Sequence, residues 1–301
     1  MRARMYKLGV AVVLLGGCGD DVSPAVDGTT SGSSSAASTS GEPPGPTTSS
    51  ASSTSGLDES SSTGGSSGEA VVEWPNLECD PLVPAYCGYP FPNNVFTVAD
   101  AGAPSGRRLA LSRAAMPPTN DGFQGEPDAF NDRDGFSPAG TILAHIAGAT
   151  ATGLVGPLNI GDSLGDSSPT VLLDATTGQR VAHFAELDIH APPGEASLMI
   201  QPAVALDYTH RYIVGVRGLL DDAGTAAAAS EAFVALRDGV TSDDETVESR
   251  RPLYIDIFAQ LQDAGVLRDE LQLAWDFTVA SREDTSGRVL AMRDSALETL
   301  G

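Results

Sequence analysis

Between Asp21 and Ala70 lie 50 residues of which 32 are Ser, Thr or Gly, four are Pro and six are acidic, with no basic or aromatic side chain. A segment of this composition cannot bury enough apolar surface to offset the entropy lost on ordering it. It reads as a solvated tether, and it separates what precedes it from what can fold after it. As a flexible coil it has a root-mean-square span of about 40 Å, from roughly 5–6 Å times the square root of its length. Its Ser, Thr and Pro content also resembles an O-glycosylated stalk.

Upstream of the tether, Arg2, Arg4 and Lys7 form a positive n-region and Leu8 to Leu15 form a short apolar core. Eight residues cannot span a bilayer, so the segment reads as a targeting signal. The core runs into Leu15-Gly16-Gly17-Cys18, which resembles the bacterial lipobox, in which small residues admit the signal peptidase and the cysteine thiol becomes diacylated. We therefore expect residues 1–17 to be a lipoprotein signal peptide and residues 18–70 to be a lipid anchor at Cys18 followed by the tether. Gly19 stands where an inner-membrane retention signal would have Asp, which points to the outer membrane. The expected location is the bacterial cell envelope, with the membrane as partner through lipidated Cys18. Each buried acyl CH₂ contributes about 0.8 kcal/mol to such an anchor.

The chain has 40 acidic residues against 17 basic ones, a formal charge of −23. That balance gives no electrostatic footprint for a phosphate backbone and excludes nucleic acid as a partner. Lys7 is the sole lysine, so lysine chemistry is excluded once the signal is removed. Setting aside Asp20 and the six tether acids leaves 33 acids, and setting aside Arg2, Arg4 and Lys7 leaves 14 arginines, for a net −19 on residues 71–301. An acidic head of this kind is repelled by an anionic membrane surface, which leaves Cys18 as the membrane contact.

Apolar residues return at Val71-Val72-Glu73-Trp74, so the folded part is expected over 71–301, long enough to bury a core. Cys79 and Cys87 are spaced across a Pro-rich loop and, in an exported protein, most simply form a disulfide. The apolar positions Leu271, Leu273, Trp275, Phe277 and Val279 alternate with Gln272, Asp276 and Thr278, which reads as a half-buried strand. Residues 171–174 and 180–184 flank Ala-Thr-Thr-Gly178, a hairpin signal, and residues 197–200 and 210–216 add two more strands. Helices are expected at 226–237, at 252–265 with Pro252 in the first turn, and at 286–300 with Val289, Met292, Ala296 and Leu300 on one face. The predicted fold class is mainly β, an antiparallel β-sandwich with two or three inserted or C-terminal helices, preceded by a disordered linker.

Gly161-Asp162-Ser163-Leu164-Gly165 has the spelling of a nucleophile elbow, and its first four letters match the signature of Gly-Asp-Ser-Leu esterases. An elbow needs a buried strand before it and a helix after it to hold the Ser Oγ at a strained turn. Gly165-Asp-Ser-Ser-Pro169 reads instead as a loop, so Ser163 is a weak catalytic candidate, and Asp207-Tyr-Thr-His210 leads into a strand rather than completing an esterase. Asn131-Asp132-Arg133-Asp134-Gly135 resembles part of a calcium loop, but Phe130 and Thr141 stand where ligands are needed, so Asp132 and Asp134 are weak metal candidates. His145, His183, His190 and His210 offer no zinc-type pair. Arg107-Arg108 and Arg250-Arg251 read as salt-bridge partners, and Asp276 as a solvated or arginine-paired carboxylate. No cofactor is expected.

Four segments together carry a resemblance: Cys87-Gly-Tyr-Pro-Phe-Pro-Asn-Asn-Val-Phe-Thr97, Asn131-Asp-Arg-Asp-Gly-Phe-Ser-Pro138, Val171-Leu-Leu-Asp-Ala-Thr-Thr-Gly178 and Leu271-Gln-Leu-Ala-Trp-Asp-Phe-Thr-Val-Ala280. Over residues 79–301 the chain is similar to the N-terminal region of exported bacterial proteins related to virulence-factor lipases and outer-membrane lysophospholipases. Leu206-x-x-x-His210-Arg-Tyr212 likewise resembles bacterial immunoglobulin-like modules. The resemblance implies an Ig-like β-sandwich that precedes an α/β-hydrolase domain. Its motifs are structural, so no catalytic residue carries over. Two functions are then expected: a non-catalytic accessory or binding module with an envelope protein or polysaccharide partner, or the N-terminal part of an esterase or lipase whose catalytic domain is absent from this chain.

Overall fold

The computed structural model describes residues 75–119, 121–192 and 194–301. The expected signal peptide, Cys18 and the tether through residue 70 lie outside the described residues. The chain divides into units 1–65 and 66–301, and the described residues all belong to the second.

In chain order they form β1 (Thr97–Ala99), β2 (Arg107–Leu109), α1 (Asp128–Asn131), β3 (Ile142–Ala144), β4 (Thr170–Asp174), β5 (Gln179–Arg180), β6 (His183–Leu187), β7 (Leu198–Pro202) and β8 (Arg211–Arg217). These are followed by α2 (Glu231–Asp238), α3 (Glu245–Ser249), α4 (Arg251–Asp263), β9 (Leu271–Thr278) and α5 (Arg282–Leu300). The strands pair as a β1-β2 ribbon, a three-stranded sheet β3-β7-β6 and a four-stranded sheet β5-β4-β8-β9. All of these pairings are antiparallel, so the fold is mainly β with few helices.

The expected hairpin around Gly178 is present, with Asp174 opposite Gln179 and Gly178 at φ 71°, a conformation that costs a residue without Cβ little. Its second arm is shorter than expected. Only Gln179–Arg180 stays beside β4, while His183–Leu187 joins the other sheet next to β7. Val181 still donates to the Leu172 carbonyl at 2.7 Å, and two residues later the His183 N–H turns to Ser163 Oγ at 3.0 Å.

β9 is the last strand of its sheet yet is buried along its length, and here the expectation of a half-buried strand fails. All eight of its residues are buried. Leu273, Trp275 and Phe277 point to one face and Gln272, Ala274 and Asp276 to the other, as the strand period requires. On the apolar face Phe277 stacks on Tyr212 with ring centroids 5.7 Å apart, and Trp275 Nε1 donates to the Pro92 carbonyl at 2.8 Å. The opposite face is covered by α4. Tyr254 Oη donates to the Ala274 carbonyl at 2.7 Å, and Leu261 lies 3.4 Å from where a Cβ on Gly215 of β8 would stand. Polar spacing along β9 therefore marks a buried hydrogen-bonded face, not a wet one. Gln272 shows the same: its amide donates to the carbonyls of Leu219 and Ala227 and its oxygen accepts from Leu219 N–H.

Two helices begin elsewhere than expected. Ala226–Ala229 is not helical; Ala226 bridges Leu220 and Ala227 N–H donates to the Leu219 carbonyl, so α2 starts only after Ser230, whose side chain caps Phe233 N–H. α5 starts earlier, after Ser281, which caps Asp284 N–H. α4 matches its expected span, with Pro252 in its first turn. No helix among the described residues is long and apolar enough to cross a membrane.

Candidate functional site

The chain leaves the three-stranded sheet at Pro202 and enters the four-stranded one at Arg211, and the corner between them gathers ionisable groups. Leu206 is buried and its N–H donates to the Pro138 carbonyl, which pins the corner to the segment before β3. Tyr212 Oη, from the second position of β8, reaches back to accept the Asp207 N–H at 2.8 Å. Thr209 between them sits at φ 63°, the one non-glycine residue of positive φ among the described residues. A β-branched residue there is strained, and it is held by its N–H bond to the Val279 carbonyl.

That corner sets His210 beside Asp174 at the end of β4, with Nδ1 2.9 Å from Asp174 Oδ2. Asp174 is only 4% exposed, and its Oδ1 accepts the N–H groups of Thr176 and Thr177 in the β4–β5 turn. Burial works against its charge, but the bonds from His210, Thr176 and Thr177 outweigh it and hold its carboxyl below the usual aspartate range. Asp207 completes the cluster: one donor atom from each of Asp174, Asp207 and His210 lies within 4.8 Å of the others. Tyr212 sits beneath them, and its phenol is pushed up to about 12 by burial and by the two nearby carboxylates, against the opposing bond from Asp207 N–H. The imidazole lies over the Tyr212 ring, centroids 6.5 Å apart and 30° from parallel.

Ser163 is placed differently. It lies in a one-turn 3₁₀ helix, Ile160–Leu164, 1% exposed, where its Oγ donates to the Ile160 carbonyl at 2.7 Å and accepts His183 N–H at 3.0 Å. His183 does not serve it as a base: its Nδ1 faces the Val181 carbonyl at 2.8 Å and its Nε2 faces Thr170 Oγ1 at 2.9 Å. Burial lowers the His183 pKa, against the opposing bonds to Val181 and Thr170. Ser163 and His183 tie the 3₁₀ turn to β6.

Asp132 and Asp134 do not converge. Asp132 pairs with Arg288 of α5 at 2.6 Å, while Asp134 accepts Ser281 N–H at 2.9 Å, at the start of the same helix. Cys79 and Cys87 are joined by a disulfide. The loop it closes carries Asp80, which forms a wholly buried ion pair with Arg250 at 2.7 Å and also accepts from Asn93. Next to it a second buried network links Asp276 to Arg211 and Asn94, with Arg211 continuing to Asp256 of α4. Arg108 pairs with Asp100 and Arg251 with Glu248, while Arg107 Nε donates to Thr97 Oγ1. The arginine doublets thus serve as internal partners.

Sequence reading missed the corner cluster because Asp174 and His210 are 36 residues apart. The available signal was Asp207-x-x-His210 following the Asp174-x-x-x-Gly178 turn, a spelling that reads in sequence only as an incomplete esterase motif. No family model matches the chain, and no curated protein matches it.

Proposed function

We propose that this protein is a lipid-anchored lipoprotein of the bacterial cell envelope whose folded part is a non-catalytic Ig-like β-sandwich acting as an accessory or binding module. The observation that carries the reading is strand order. Lettered B to G in chain order, β3 through β9 pair as B-E-D and C′-C-F-G, the partition of an immunoglobulin sandwich. The antiparallel bridge from Phe91 to Leu143 and the parallel bridge from Phe136 to Val279 stand where a leading strand would flank B and G. Tyr212, near the start of the sixth lettered strand, bonds back to the Asp207 backbone in the manner of a tyrosine corner. α2, α3 and α4 then occupy the connection between the last two strands.

The chemistry of Ser163 supports the non-catalytic part. Both its hydrogen-bonding roles are taken by backbone groups and its Oγ faces no imidazole nitrogen, whereas nucleophilic catalysis needs an adjacent base. Localisation rests on Leu15-Gly16-Gly17-Cys18 and on the acidity of residues 71–301. The esterase reading, in which this module precedes a hydrolase domain, draws support from α5, where Val289, Met292, Leu297 and Leu300 are exposed. Assay of the purified protein on p-nitrophenyl esters tests whether this chain catalyses through Ser163. We expect no turnover; turnover that disappears in Ser163→Ala would overturn the non-catalytic reading.

A further inference from the structure

We infer that Asp174, Asp207 and His210 form a site for one divalent transition-metal ion of the zinc class, bound by Asp174 Oδ2, an Asp207 carboxylate oxygen and His210 Nδ1. The donor set is the first reason. One imidazole with two carboxylates suits zinc and its neighbours, whereas calcium and magnesium take oxygen alone and in larger number. Geometry is the second. A tetrahedral zinc about 2.0–2.1 Å from each donor needs donors about 3.4 Å apart. The three donor atoms already lie within 4.8 Å of one another, and the pair His210 Nδ1 and Asp174 Oδ2 stands at 2.9 Å, so it opens by only about half an ångström around an ion.

Charge is the third reason. A hydrogen-bonded Asp–His pair is complete with Asp174 and His210 alone, yet the corner brings up a second carboxylate. Among the described residues the Asp207 carboxylate makes no ion pair and accepts no hydrogen bond, and the cluster's one nitrogen base is His210. The nearest arginine in sequence, Arg211, is engaged with Asp256 and Asp276. A divalent cation would balance the two carboxylates that the corner brings together.

The three side chains differ in freedom as a built site requires. Asp174 is buried and fixed by the β4–β5 turn, and the His210 ring is set by Asp174 and Tyr212. Asp207 is exposed on the corner, its backbone tied by Tyr212 Oη, so the site is open to an ion from solvent. Binding replaces the proton on Nδ1: in the neutral ring that proton is carried at Nε2 instead, and from the protonated ring one proton is released to solvent. This site is distinct from Asp132, which pairs with Arg288, and from Asp134, whose Oδ1 accepts Ser281 N–H.

Titration of the purified, chelator-treated protein with Zn²⁺ by calorimetry, with Co²⁺ absorption as a second readout, tests the assignment. We expect one saturable site per chain, weakened at least about tenfold in Asp207→Asn and in His210→Gln, and unchanged in Asp132→Asn. Asp207 is exposed, so its variant keeps the fold and its thermal midpoint without metal matches wild type. Absence of saturable Zn²⁺ uptake by the wild-type protein, or equal uptake in Asp207→Asn and His210→Gln, overturns the inference.

Discussion

At the scale of single residues, burial decides which charges matter. Asp80 and Arg250 are 0% and 1% exposed, and an arginine left there without its carboxylate has no water to turn to. Asp80→Asn is expected to cost about 3–5 kcal/mol, the penalty of an uncompensated buried charge, read as a lowered urea midpoint at unchanged slope; a loss below about 1 kcal/mol would contradict this role. Ser163→Ala strands the buried His183 N–H and is expected to cost about 1–3 kcal/mol, again by urea denaturation. His183 supplies a pH dependence. Its folded pKa is lowered from 6.5, so the unfolded chain binds more protons as pH falls below about 6.5 and stability declines there, by at most about 1.4 kcal/mol per pH unit. Denaturation midpoints at pH 7.5 and pH 5.0 check the sign, and His183→Gln is expected to flatten the slope.

At the scale of elements, the sequence was most legible where side-chain period is set by local geometry. β8, β9 and α4 lie close to their expected spans because alternation and a first-turn proline are local signals. What the period could not disclose is what covers the second face of β9. Asp276 reads as a solvated or arginine-paired carboxylate, and its actual partners are Arg211 and Asn94, the latter from 182 positions earlier in the chain. The Ala226–Ala229 run failed for a related reason: high helix propensity was overridden by a bridge to Leu220. The candidate cluster at the β7–β8 corner was illegible in the same way, since only the pairing of β4 with β8 brings Asp174 to His210. Close approach gives a sharp test at this scale. A Cβ on Gly135 would stand 2.6 Å from Ala280 N, beside the bridge from Phe136 to Val279. Gly135→Ala is expected to destabilise by more than about 1 kcal/mol in urea denaturation, whereas Gly287→Ala, in open space on α5, is expected to be neutral or stabilising.

At the scale of the whole molecule, the sequence joins an acidic part, with 33 acids against 14 arginines over residues 71–301, to a Ser/Thr/Gly-rich stretch and a cysteine in a lipobox-like context. In the proposed arrangement each part constrains the others: the charge of residues 71–301 would keep them from an anionic membrane surface, which would leave Cys18 as the membrane contact. The disulfide between Cys79 and Cys87 agrees with export to an oxidising compartment. The most direct test of this arrangement is metabolic labelling with radioactive palmitate in a bacterial host, comparing the wild-type chain with Cys18→Ala. We expect label on the wild-type protein and its recovery with membranes, with both lost in Cys18→Ala; equal labelling of the two proteins would contradict a lipid anchor at Cys18.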